Sequence, residues 1–168
     1  MKSLIIYFSH AGENYMEHGI ENITKGNTEK LVETLQCLTN ADIFKVEPVN
    51  KYPYDYNECC DIAKAQLNKD ARPALVRYLD NLDDYDTIYL AGPVWWGHYP
   101  RTMFSLLEKL DFTGKTVAYL TTHEGSGLGS TLSDVKRFCG NANIKEGLAI
   151  RGCKVDEAKQ TLVNWLNK

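Results

Sequence analysis

Thr87-Ile88-Tyr89-Leu90-Ala91-Gly92-Pro93-Val94-Trp95-Trp96-Gly97-His98 is the stretch that decides the fold. Its first half is an almost unbroken apolar run, the pattern of a strand buried on both faces. Its second half opens into a loop of glycine, proline and two tryptophans. Two other stretches repeat the design. Leu4-Ile5-Ile6-Tyr7-Phe8 runs into Ser9-His10-Ala11-Gly12. Thr116-Val117-Ala118-Tyr119-Leu120 runs into Thr121-Thr122-His123-Glu124-Gly125-Ser126-Gly127-Leu128-Gly129. In an open α/β sheet, ligands bind beyond the carboxyl ends of the strands, where strand order reverses. Three such ends, bearing hydroxyls, indoles and glycines, suit a phosphate with a flat aromatic group attached.

Outward from these runs, strands alternate with helical spacing, the signature of βαβ units around a parallel sheet. Residues 2–8, 41–47, 86–92, 115–122 and 147–150 read as five strands. Helices are predicted after Asn27 (Leu31, Val32, Leu35, Leu38), over 55–69, after Pro100 (Met103, Leu107, Leu110), along Leu128, Leu132, Val135 and Cys139, and along Val155, Ala158, Leu162 and Trp165. The helix over 55–69 is short of apolar anchors. The second and fifth strands are more polar or shorter, which suits sheet edges. Right-handed crossovers with those edges give the order 2-1-3-4-5, which sets the first, third and fourth loops side by side. The expectation is a single three-layer α/β/α domain over residues 1–168.

Composition narrows the function classes. The 168 residues carry 19 basic and 22 acidic side chains, a net charge of −3. With no basic stripe, a nucleic-acid partner is not expected. No apolar run reaches the roughly 20 residues that span a bilayer, and no signal-peptide pattern opens the chain. The five cysteines (Cys37, Cys59, Cys60, Cys139, Cys153) are odd in number and lack a CxxC spacing. Free thiols, mostly in the core, and a cytoplasmic location are the expectation.

The first loop is the phosphate candidate. Ser9 supplies a hydroxyl at the strand end, and Asn27 and Thr28 stand where the next helix begins. A helix N-terminus offers free N–H groups and partial positive charge, so it binds phosphate without a lysine. Capping of that helix is the plainer reading of Asn27 or Thr28. Residues 12–26 interrupt this loop with an insertion far longer than the usual two to six residues, and long connections are commonly functional. It is expected to fold over a ligand, with Tyr15 as a contact, or else to be a surface excursion.

In the second loop, neighbouring rings point to different sides, so one of Trp95 and Trp96 is expected on a ligand and the other on protein. Gly97 would permit close backbone approach or a peptide flip. The third loop has the spacing G-x-G-x-G after the fourth strand. This is neither the dinucleotide fingerprint nor a nucleophile elbow. Its glycines suit backbone N–H groups facing the polar edge of a ring. His10, His18, His98 and His123 show no metal spacing. His98 and His123 are candidates for coupling proton to electron transfer beside a redox ring.

In combination these residues resemble the flavodoxin family. The resemblance rests on Ser9-His10-Ala11-Gly12-Glu13-Asn14-Tyr15, the delayed Gly26-Asn27-Thr28, Pro93-Val94-Trp95-Trp96-Gly97 and Thr122–Gly129. Glu58-Cys59-Cys60 and Glu146–Gly152 support it. It is similar to a bacterial branch of small members with an inserted phosphate loop. The resemblance implies a flavodoxin-like fold and noncovalent FMN. The phosphate would lie on Ser9, His10, Ala11, Asn27 and Thr28. The ring would lie between Pro93, Val94, Trp95, Trp96 and Gly97 on one side and Thr122, His123, Glu124, Gly125 and Gly127 on the other.

The function expected from this is electron transfer, with a redox partner protein or a small-molecule acceptor. The flavin would supply the chemistry and the protein its binding and potential. Glu124 near the reduced ring would disfavour added negative charge. A net charge of −3 is modest for a carrier that docks by charge. The rival reading is therefore an FMN-dependent NAD(P)H:quinone-type oxidoreductase, and a third is a non-redox binding module.

Overall fold

The computed structural model describes residues 2–168. In chain order its elements are β1 (Ser3–Tyr7), β2 (Gly12–Met16), β3 (Gly19–Ile23), α1 (Asn27–Thr39), β4 (Asp42–Lys45), α2 (Tyr56–Asn68), β5 (Thr87–Pro93), α3 (Arg101–Leu107), β6 (Thr116–His123), α4 (Thr131–Cys139), β7 (Asn143–Ile144), β8 (Leu148–Arg151), a 3₁₀ turn (Gly152–Glu157) and α5 (Lys159–Leu166).

The main sheet is parallel and runs β4-β1-β5-β6, with β7 and β8 both on the outer edge of β6. This is the expected order 2-1-3-4-5. The predicted fifth strand is β8, and the edge position is shared with the two-residue β7, so the sheet has six strands instead of five. The central register sets Ile6 beside Leu90 and Leu90 beside Tyr119.

Side chains alternate between two cores because successive strand residues point to opposite faces. Leu4, Ile6, Ile88, Leu90, Val117 and Tyr119 pack with Met103, Phe104 and Leu107 of α3 and Val135 and Cys139 of α4. Ile5, Tyr7, Ala91, Ala118 and Leu120 pack with Leu31, Val32 and Leu35 of α1 and Leu162 and Trp165 of α5. Three layers result. Leu132 departs from the predicted stripe of α4 and is exposed. All five cysteines are free, as expected, but only Cys59 and Cys139 are buried.

The insertion is a second sheet, an antiparallel hairpin of β2 and β3 with Glu13 opposite Asn22 and Tyr15 opposite Ile20. Both its ends are tied down. Glu13 N donates to Tyr54 O at 3.0 Å, and Tyr56 N donates to Glu13 Oε2 at 2.9 Å. Met16 Sδ receives Asn27 Nδ2 at 3.3 Å. The hairpin therefore bridges the N-terminal ends of α2 and α1. No helix among the described residues is long and apolar enough to cross a membrane.

Candidate functional site

The carboxyl ends of β1, β5 and β6 open into a cavity of about 600 Å³. Its far walls are the hairpin and α2. Of the sequence-predicted site residues, His10, Asn27, Thr28, Pro93, Val94, Trp95, Trp96, Gly97, Thr122, His123 and Glu124 line it together. Ser9, Ala11, Gly125 and Gly127 do not.

The α1 end is the most polar. Gly26 sits at the helix N-cap with extended backbone (φ −61°, ψ 149°) and no side-chain cap. The cap comes from another strand end: Glu29 N donates to Ser9 Oγ at 3.0 Å. Ser9 Oγ is thus an acceptor for the helix, with its O–H still free to donate. Close approach requires glycine here, since a Cβ on Gly26 would overlap Ser9 Oγ and stand 2.9 Å from His10 N and O. The N–H groups of Asn27 and Thr28 have no protein acceptor among the described residues. The Thr28 and Thr122 hydroxyls meet at 2.7 Å, joining α1 to β6. Two buried polar atoms here lack a hydrogen-bond partner, His10 Nε2 and Asn27 Oδ1. An orphaned buried group costs about 1–3 kcal/mol, so each of these atoms calls for a partner that the chain does not supply. Burial lowers the pKa of His10, against an opposing hydrogen bond to the Pro53 backbone.

The two tryptophans sit in different surroundings. Trp95 stacks edge-on against Phe8 at 5.2 Å, Tyr52 at 4.8 Å and His10 at 5.8 Å. Trp96 is 50% exposed, and its Nε1 donates to Cys60 O on α2 at 3.0 Å. Lys64 Nζ lies over its ring at 4.4 Å. Trp96 and Gly97 form a two-residue turn, closed by Trp95 N to His98 O at 2.8 Å and His98 N to Trp95 O at 3.2 Å. Trp96 has φ +53°, a left-handed conformation that costs a non-glycine residue about 1–2 kcal/mol.

The flip suggested by Gly97 meets resistance. Its carbonyl accepts Ser130 N at 2.6 Å, and Gly129 leaves room for it, since a Cβ there would stand 2.6 Å from Gly97 O. His98 does not line the cavity. Its Nδ1 pairs with Asp134 Oδ1 at 2.8 Å, and Asp134 Oδ2 accepts Tyr99 N at 2.9 Å. His98 is therefore the pin that fixes the turn to α4. Burial raises the pKa of Asp134, against the bonds from His98 and Tyr99.

In the third loop the Gly125 N–H and the Gly127 carbonyl are bonded within the loop. Gly125 N donates to His123 Nδ1 at 2.9 Å, and Gly127 O accepts Thr121 Oγ1 at 2.9 Å. His123 lines the cavity, and burial lowers its pKa. Glu124 is not a bare charge. It accepts Cys153 N at 2.7 Å and pairs with Arg151 at 3.0 Å, with 7% of its side chain exposed. Burial pushes its pKa up, and the Cys153 and Arg151 bonds outweigh this, leaving it below the ordinary value.

Sequence reasoning missed the α2 wall: Tyr56, Asn57, Cys59, Cys60, Asp61 and Ala63, with Glu13 and Asn14 of the hairpin. One signal was legible. The shortage of apolar anchors over 55–69 is what a helix facing a cavity shows. Among the described residues no cluster of His, Cys, Asp or Glu could hold a metal ion.

Fold and cavity together define a doubly wound α/β protein with a cavity at the switch point of the sheet, where such folds bind ligands. The chain belongs to the flavodoxin family, whose model matches residues 2–168. Among solved structures it is similar to a candidate flavoprotein of Bacteroides uniformis, with 24% identity, a TM-score of 0.79, and 99% of this chain and 98% of the other covered. It is also similar to a Lactobacillus acidophilus flavoprotein in complex with FMN, with 23% identity, a TM-score of 0.66, and coverage of 93% and 97%. Oxidised flavodoxin 2 of Bacillus cereus matches at 16% identity with a TM-score of 0.54, covering 99% of each chain. No curated protein matches.

Proposed function

We propose that this chain, acting as one domain, binds FMN noncovalently and exchanges electrons with a redox partner protein or a small-molecule acceptor. Family membership supports the cofactor, and the observation that carries its placement is the orphaned pair His10 Nε2 and Asn27 Oδ1 beside the unpaired amides of α1. A polyol phosphate offers both hydroxyl donors and anionic acceptors, so it completes donors and acceptors alike. When bound, FMN supplies one- and two-electron redox chemistry.

The residues then divide the work. The N–H groups of Asn27 and Thr28 hold the phosphate by helix polarity instead of a cationic side chain. Among the described residues, no lysine or arginine lines the cavity. Pro93–Gly97 and Thr122–Glu124 flank the ring. The Ser130 bond to Gly97 O and the Asp134–His98 pair hold the first of these loops still. Arg151 neutralises Glu124, so the ring meets little net charge from that side. Five free thiols agree with a reducing cytoplasm.

The test is the visible absorption spectrum of the purified protein titrated with FMN and then reduced stepwise. One FMN per chain and a reversible bleach are expected. A colourless protein that ignores added FMN would refute the proposal.

A further inference from the structure

α2 is an amphipathic helix whose inward stripe faces a cavity instead of a core. Tyr56, Cys59, Cys60 and Ala63 stand at i, i+3, i+4 and i+7, the spacing of a buried helix face. All four line the cavity, and only Cys59 and Ala63 are buried. By contrast, every residue of α3 is buried. Three of the four α2 side chains are small, which leaves space beneath the helix.

Aromatic rings close both ends of that space. At the N-terminal end, Tyr56 and Tyr15 of the hairpin approach to 6.2 Å between centroids, tilted by 39°. One turn on, about 6 Å along the axis, Cys60 O holds the indole of Trp96, with Lys64 Nζ over its ring. Tyr15 and Trp96 are 53% and 50% exposed, large apolar surface for residues tied to their neighbours. Trp96 keeps its strained backbone in this place.

Charge narrows the occupant. Glu13, Asp61 and Glu124 are the charged residues of the cavity wall, Glu124 alone being neutralised by Arg151. His10 and His123 are both biased toward the neutral form by burial. A dinucleotide, with its negative pyrophosphate, would meet the carboxylates of Glu13 and Asp61 here.

We propose that the α2 end of the cavity is a second binding subsite, beside FMN, for a flat conjugated ring without negative charge, the chemical class of quinones. It lies between the Tyr15–Tyr56 pair and Trp96. This rests on the FMN reading and names the acceptor class for it. It also sets the nicotinamide dinucleotides outside this pocket.

The test is equilibrium dialysis of duroquinone against the FMN-loaded protein. Its fully substituted ring does not alkylate Cys59 or Cys60. One bound duroquinone per chain is expected, undisturbed by NADH. Tyr56→Leu and Tyr15→Ala should each weaken it about five-fold, the scale of one aromatic stack, and Tyr56→Leu should leave FMN affinity unchanged. No binding to the loaded protein, or equal binding in both variants, would refute the subsite. Competition between duroquinone and FMN would refute it too, since FMN would then fill both ends. If the protein takes up no FMN, the FMN reading falls by itself. The duroquinone titration of wild type and Tyr56→Leu then still decides the subsite.

Discussion

Gly26→Ala isolates the geometry of the α1 end. Gly26 has φ −61° and ψ 149°, a conformation alanine adopts without strain. The effect of the methyl is therefore steric, with a small loss from alanine being a poor N-cap. The methyl would overlap Ser9 Oγ and press on His10 N and O at 2.9 Å. Ser9 must rotate away from Glu29 N, or the first loop must move off the helix. Overpacking of this kind costs about 1–3 kcal/mol. A moved loop also displaces His10 from the N–H groups of Asn27 and Thr28. Losing one charge-assisted bond to the phosphate costs about 1.5–3 kcal/mol, or roughly 10- to 150-fold in FMN affinity. Stability is read by urea unfolding, and affinity by fluorescence titration with FMN. Adding Ser9→Gly relieves the Oγ overlap but leaves Glu29 N uncapped, so stability should return only in part, and affinity not at all, because His10 N and O still meet the methyl. A folded Gly26→Ala protein that binds FMN within two-fold of wild type would refute the placement of the phosphate.

Four further outcomes follow from the same contacts. Asp134→Ala strips the acceptor from buried Tyr99 N and the partner from His98, and urea unfolding should show a loss of about 2–4 kcal/mol; a loss under 1 kcal/mol would mean the pin is idle. Trp96→Gly removes the strain at φ +53° along with the Cys60 bond, so FMN-free stability should stay within about 1 kcal/mol of wild type, and a larger drop would contradict the offset. Glu124→Gln should move the FMN midpoint potential by less than about 30 mV, and Arg151→Ala, which bares the Glu124 charge, should lower it by more; the reverse order in spectroelectrochemistry would show that Arg151 does not mask Glu124. Hydrogen bonds from Arg72 and Arg137 hold Asp70 well below its ordinary 3.8, so its contribution is present above that value and is lost as pH falls below it. Asp70→Asn should flatten the acid limb of the stability profile under pH 4, and an unchanged slope would rule out this linkage.

The sheet was legible because its central strands are apolar on both faces and its edges are not. Strand order and the clustering of three loop ends followed from that contrast. The hairpin was not legible as a hairpin. Asn14, Glu21 and Asn22 carry no alternation, and its pairing is fixed by contacts with Tyr54, Tyr56 and Asn27, which are distant in sequence or shaped by the fold. Ser9 was read by residue type as a phosphate ligand, and its part in supplying the cap missing at Gly26, through Glu29 N, was not legible. His98 was read by its loop, yet the buried carboxylate that claims it lies on α4. Glu124 was read as a free charge because its partner Arg151 is on the next strand. Each of these roles is set by a partner far along the chain. The thin apolar stripe over 55–69 was visible all along, and a cavity in place of a core gives it meaning.

The most direct measurement is a two-dimensional ¹H–¹⁵N NMR titration of the protein with FMN. The account predicts the largest shifts at the amides of Asn27 and Thr28, with further shifts along Val94–Gly97 and Thr122–Glu124. Saturation without movement of the Asn27 and Thr28 amides would contradict it, because among the described residues no lysine or arginine on the cavity wall stands ready to hold the phosphate instead.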